Sequence, residues 1–218
     1  MLKAVIFDMD GVIIDSHPAH KRAWCEFLLS LGRTVSDEEL EFVLDGRRRD
    51  DILRFFLGEL TEQQFRDYGV KKTEFFYAAA ADLELTSGLL QFMARLDQAD
   101  IPMAVASSGS RVRVERILSS YGIADRFSTV VTGDDVKRGK PNPETYVRAC
   151  EGINVPPSST LVVEDAVSGI KGAKAAGTRC LGIAATARAP LLYEAGAELV
   201  VADFDGIQLS ALEAAVFV

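Results

Sequence analysis

The stretch VIFDMDGVIIDS, residues 5–16, runs from apolar residues into two carboxylates, Asp8 and Asp10, with Met9 between them and Gly11 behind. Negative charge buried beside a strand is costly unless a cation or a proton compensates it. The same shape recurs along the chain. PMAVAS (102–107), FSTVVTG (127–133), TLVVED (160–165), RCLGIA (179–184) and AELVVAD (197–203) are further short apolar runs. They are continuous rather than alternating, which predicts strands covered on both faces. From residue 88 onward helical stretches separate them: GLLQFMARLDQAD, RVRVERILSSYG, NPETYVRACEGI and AVSGIKGAKAAG. Strand and helix in alternation predict an α/β fold with a doubly wound, mostly parallel, Rossmann-like sheet. Ligands of such sheets bind at the carboxyl ends of the strands.

Residues 16–82 break the alternation. SHPAHKRAWCEFLLSLG has helical spacing and ends in Gly32. SDEELEFVL opens with Ser36 as a helix cap and an acidic first turn. RDDILRFFLGEL and TEQQFRDYGVKKTEFFYAAAADL also read as helices. An all-helical insertion over 16–82, set into a core of 1–15 and 83–218, would lie above the carboxyl edge of the sheet, where a lid belongs.

Composition narrows the function. The chain has 218 residues, 48% apolar, and a net charge of −8, which argues against nucleic acid or an anionic membrane surface as partner. It has no apolar run long enough to span a membrane and no signal-peptide pattern at the N-terminus, so a cytoplasmic protein is expected. No obligate protein partner is evident. Cys25, Cys150 and Cys180 lack metal-like spacing and read as small buried thiols.

Four strand or loop ends offer polar groups to one sheet edge: Asp8 and Asp10, Ser107, Lys140 in KRGKPNPETY, and Glu164 with Asp165. Each has a plain structural reading. Asp10-Gly11 can turn the chain, Ser107 or Ser108 can end a strand, and Lys140 can be a solvated residue before a helix that Asn142 caps and Pro143 opens. Asp165 can be a helix cap. Their shared destination favours chemistry.

These residues resemble the motifs of the haloacid dehalogenase superfamily. DMDGV is similar to its first motif, Ser107 to the strand-end Ser/Thr of the second, Lys140 to the lysine of the third, and the acidic pair 164–165 to the fourth, all in the family's order. The helical insertion resembles the family's C1-type cap. The resemblance implies Mg2+-dependent phosphoryl transfer, with Asp8 as nucleophile, Asp10 as acid and base, and Lys140 and Ser107 on the phosphoryl oxygens. Asp8, Asp10, Glu164 and Asp165 are implied around the metal. An Asp at position 10 sets the chain apart from the superfamily's metal-free dehalogenases.

Within the superfamily the resemblance is to β-phosphoglucomutases and related sugar-phosphate phosphatases. It implies that His20, Arg49 and Lys72 meet a small phosphorylated metabolite, with Ser108, Gly109 and Arg111 near it; Arg111 can supply a bidentate grip. His17 reads as a plain surface histidine and Trp24 as cap packing. Gly109, Ser110, Arg111 and Ile52 depart from the mutase pattern and favour a phosphatase, with a mutase as the alternative. A receiver domain and a noncatalytic binding protein are more distant readings.

Overall fold

The computed structural model describes residues 1–81 and 83–217. Residue 82, the expected end of the insertion, and residue 218 lie outside them. Strands β1 (Ala4–Phe7), β2 (Met103–Ala106), β3 (Phe127–Val131), β4 (Thr160–Glu164), β5 (Arg179–Ile183) and β6 (Leu199–Val201) form one sheet in the order β3-β2-β1-β4-β5-β6. Every neighbouring pair is parallel. All six expected strands are present, and β1, β2 and β4 are buried along their whole length. That is why their sequences show no alternation.

Helices cover both faces. Val5 and Phe7 pack with Phe92 of α5 (Leu89–Gln98), Val114 of α6 (Arg111–Ser120) and Leu212 of α10 (Leu209–Val216). Ile6 points to the opposite face, with Tyr146 of α7 (Glu144–Ile153), Ile170 of α8 (Val167–Ala175) and Leu192 of α9 (Ala189–Ala195). Period-two alternation thus divides β1 between two cores.

The strand order reverses between β1 and β4, which are neighbours although a hundred and fifty residues of chain separate them. In register, Phe7 lies opposite Val163, and the Asp8 N–H donates to the Val163 carbonyl at 3.0 Å. Asp8 therefore stands beside the end of β4. This is the crevice where doubly wound sheets hold ligands.

Between β1 and α5 the chain forms α1 (His17–Leu29), α2 (Asp37–Val43), α3 (Arg49–Leu57) and α4 (Glu62–Ala79). They enclose an apolar cluster of their own, built on Trp24, Phe27, Val43, Ile52, Leu53 and Phe56. Ser36 caps α2 in a reciprocal pair with Glu39, and Thr61 does the same for α4 with Gln64. Two local expectations shift. Pro143 sits at the cap position of α7 rather than its first turn, while the Asn142 side chain still accepts from Glu144 N–H at 3.1 Å. Ala166, not Asp165, occupies the cap position of α8, and Asp45 of the insertion accepts from Ser168 N–H at 2.9 Å instead.

Cys150 and Cys180 are buried and Cys25 is half-buried, all as free thiols. Among the described residues, no helix is long and apolar enough to cross a membrane.

Candidate active site

Asp8 is buried at the end of β1, and both its oxygens are engaged. Oδ1 accepts from Lys140 Nζ at 2.5 Å and Oδ2 from Asp10 N–H at 2.9 Å. Lys140 comes from the loop between β3 and α7. Its ammonium also donates to Glu164 Oε1 at 2.6 Å and to the Ala106 carbonyl at 3.3 Å, so three donors meet three acceptors. Burial works against the Lys140 charge, but Asp8 and then Glu164 outweigh it and raise its pKa. Asp8 moves above the usual carboxylate range. Burial is the main cause, Lys140 opposes it, and Glu164, Asp10 and Asp165 add repulsion.

Glu164 is turned away from the cavity. Its Oε1 accepts from Lys140 and from Tyr146 O–H at 2.7 Å, and its Oε2 from the N–H groups of Asp165 and Ala166, each at 2.9 Å. That corrects its expected place at a metal. A fully buried carboxylate needs several donors, and here the lysine, the tyrosine and the backbone supply them.

Asp165 is different. Its Oδ2 is buried and makes no hydrogen bond. His17 Nε2 stands 2.9 Å away in ionic contact, without hydrogen-bond geometry. Burial raises the Asp165 pKa and His17 opposes the rise. Gly11 makes room for this contact: its φ is +78°, and a Cβ there would lie 2.3 Å from Asp165 Oδ2. His17 is thus no plain surface residue. In the sequence it is marked only by its place at the start of the insertion, shortly after Asp10.

The donor set fits a divalent cation. Asp8 and Asp165 present buried carboxylates, one of them with an oxygen free of hydrogen bonds. Among the described residues, the Asp10 carbonyl accepts no hydrogen bond. Hard cations take such oxygen ligands. Also among the described residues, no three acidic, histidine or cysteine side chains converge closely enough to hold an ion by themselves. A carbonyl and a substrate oxygen would have to complete the set.

The Asp10 side chain points toward the helical insertion. Its Oδ1 accepts from Ser16 O–H at 2.7 Å and Arg113 Nη1 at 2.8 Å and lies 3.1 Å from His20 Nε2; Oδ2 accepts from Arg113 Nη2 at 2.5 Å. Burial would raise the Asp10 pKa, but Arg113 and then His20 hold it well below the ordinary value. His20 Nδ1 is 3.0 Å from Lys72 Nζ. Burial and the Lys72 charge bring His20 down to about 3. Burial and the Arg113 charge bring Lys72 down to about 7. Lys72 lies 5.1 Å from the ring centroids of both Trp24 and Phe76.

A cavity of about 110 Å³ separates the two groups. Asp8, Asp10, His20, Arg49, Lys72, Ser108, Gly109 and Arg113 all line it, with Trp24, Ile52 and Phe76 as apolar wall. Ser107 lies beneath, fully buried, its hydroxyl accepting from Gly109 N–H at 3.0 Å. Ser108 spends its hydroxyl on the Gly46 carbonyl at 2.6 Å, which ties the insertion to the core. Arg48 Nη1 adds a second tie to the Lys137 carbonyl at 2.9 Å.

Arg111 does not reach the cavity, which corrects its expected grip on a substrate. It donates to Asp135 at 2.6 Å, Glu115 at 3.0 Å and the Val130 carbonyl at 3.2 Å. Arg113, which sequence reasoning missed, takes the inward place. At about 100° per residue, two positions along α6 nearly reverse the direction of a side chain.

Residues 2–177 match the family model of haloacid dehalogenase-like hydrolases. The chain is 32% identical over 201 residues to validoxylamine A 7'-phosphate phosphatase of Streptomyces hygroscopicus subsp. limoneus, covering 89% of this chain and 92% of that protein. It is 31% identical over 195 residues to hexitol phosphatase A of Escherichia coli, covering 88% of each. The crystal structure of CbbY from Rhodobacter sphaeroides in complex with phosphate superposes with a TM-score of 0.83 at 28% identity, covering 98% of this chain and 100% of that one.

Proposed function

The chain belongs to the haloacid dehalogenase-like hydrolases, and from that premise we propose that it is a Mg2+-dependent phosphatase of small phosphorylated metabolites such as sugar phosphates. The reaction runs through an aspartyl-phosphate on Asp8. The observation that carries this reading is the Asp8–Lys140 contact at the switch point of the sheet. A carboxylate attacks a phosphoryl group only if their mutual repulsion is suppressed, and a buried ammonium beside the attacking oxygen does that.

In the first half-reaction an Asp8 oxygen bonds to phosphorus, and the leaving oxygen takes a proton from Asp10. In the second, water attacks phosphorus, its proton goes to Asp10, and the electron pair of the broken P–O bond returns to Asp8. Held by Arg113 and His20, the Asp10 carboxylate is set for the second of these steps. Ser107, beneath the cavity beside Gly109, is assigned the phosphoryl oxygens on the family resemblance.

Proteins of this family generally use Mg2+. Asp8, Asp165 and the Asp10 carbonyl would hold it, and when bound it would offset the charge of the nucleophile and the phosphoryl oxygens. Helices α1–α4 serve as the lid. His20, Arg49 and Lys72 face the far end of the substrate, while Arg48 and Ser108 tie lid to core. Arg111, turned outward to Asp135 and Glu115, and Ile52, in the cavity wall, favour hydrolysis over a mutase that must hold a second phosphate there.

Phosphate release from acetyl phosphate and from a panel of hexose phosphates tests the reading. Release with Mg2+, abolished by EDTA and by Asp8→Asn, is expected; undiminished release by Asp8→Asn contradicts it. β-Glucose 1-phosphate with a trace of the 1,6-bisphosphate separates the two activities. Free phosphate marks the phosphatase and accumulating glucose 6-phosphate the mutase.

A further inference from the structure

Two of the groups on Asp10, Ser16 and His20, reach only one of its oxygens. Oδ2 accepts solely from Arg113 among the described residues. Arg113 is the third residue of α6, buried, with its guanidinium 5.2 Å from the Phe76 ring centroid of the lid. It passes to Asp10 through a slot that exists because residue 109 has no side chain. A Cβ at Gly109 would lie 2.2 Å from Arg113 Nη2, 2.9 Å from Cζ and 3.0 Å from Nε. The clash is with the movable end of an arginine, so a methyl group there displaces the guanidinium and spares the backbone. Residues 109 and 113 act as one device.

We propose that Arg113, admitted by Gly109, is a positioning residue that fixes the Asp10 carboxylate for the second half-reaction, in which it takes a proton from the water attacking the aspartyl-phosphate. The proposal rests on the phosphatase reading above. A guanidinium that spans both oxygens sets the plane of a carboxylate, which one N–H or one ammonium cannot do. Without Arg113, the carboxylate is held at Oδ1 alone and turns away from the water. Small misplacements of a base cost rate steeply. The first half-reaction is spared when the leaving group needs no proton, as with p-nitrophenolate or acetate.

Rapid-mixing kinetics with p-nitrophenyl phosphate and Mg2+ test this. Arg113→Ala is expected to release a burst of close to one nitrophenolate per active site. Turnover then slows by about tenfold to a hundredfold, with phosphate retained on the acid-quenched protein. Gly109→Ala, which keeps the arginine, gives the same burst, and this variant carries the test if Arg113→Ala does not fold. The double variant is no slower than the slower single one, because both remove one interaction. Arg113→Lys recovers only part of the rate. An unchanged Arg113→Ala, slow turnover without burst or retained phosphate, or losses that multiply in the double variant would each overturn the proposal. A wild-type protein that turns over no phosphate ester sinks the phosphatase reading and this proposal together; normal wild-type turnover with an unaltered Arg113→Ala sinks the proposal alone.

Discussion

The floor of the cavity and its roof handle charge in opposite ways. On the floor, Lys140 meets Asp8, Glu164 and a carbonyl, so its three donors are spent and its proton is held more tightly than in water. In the roof, Lys72 faces His20 and two aromatic rings, with Arg113 and Arg49 raising the local positive charge, and it holds its proton loosely, at about 7. A closed ion network keeps one geometry. Arg113 is paired with Asp10 and Arg49 with Asp50, whereas Lys72 has no ion-pair partner among the described residues and is the cation open to an anion. The contrast separates a fixed reaction centre from a surface that gains stability when substrate arrives.

The largest test breaks the floor. Lys140→Met leaves Asp8 and Glu164 without their shared cation, and kcat is expected to fall by about 10²–10³-fold or more. Thermal unfolding of the same variant should show a loss of about 3–5 kcal/mol, the usual cost of orphaning a buried charge. Arg49, in the roof but without contact to Asp10, should leave this chemistry intact when it is changed. Arg49→Ala is expected to raise KM for hexose phosphates by about tenfold while acetyl phosphate, which has no distal group, changes little. Equal losses on both substrates would place Arg49 outside the substrate site.

Lys72 sharpens the contrast through stability. Its folded pKa, about 7, lies below the 10.5 of the free side chain. The unfolded chain therefore holds the extra proton between those values, and this group makes stability rise with pH through that window. Lys72→Met should remove the slope and stabilise the substrate-free protein by about 3 kcal/mol near pH 8, while weakening hexose phosphate binding. Denaturant melts at pH 7 and pH 10 read the difference. The smallest effect falls on a support of the floor. Tyr146→Phe removes one donor from Glu164 and should cost about 1–3 kcal/mol, with kcat reduced only a few-fold.

The two regions also differed in how much of them could be read from sequence. The sheet was legible because strands buried on both faces leave unbroken apolar runs, and the polar residues closing β1, β2 and β4 mark the carboxyl edge. That edge collects Asp8, Lys140 and Asp165: Asp8 is bonded to Lys140, and the Asp165 charge is close enough to act on Asp8. Glu164 and Asp165 are adjacent, yet one turns inward to Lys140 and the other faces His17. Only the end of β4 decides which. In the stretch RVRV, Arg111 and Arg113 look interchangeable, and the start of α6 at residue 111 assigns one to Asp135 and the other to Asp10. The Gly109 slot is a relation between a missing side chain and a distant guanidinium, so it has no local signature.

The proposed phosphatase chemistry requires Asp8 itself to carry the phosphoryl group. Acid quenching during turnover of acetyl phosphate with Mg2+, followed by peptide mapping, tests it most directly. The peptide containing Asp8 is expected to gain the mass of one phosphoryl group, and the same peptide of Asp8→Asn none. Phosphate on a different residue, or steady turnover with no phosphorylated peptide and an active Asp8→Asn, would contradict it.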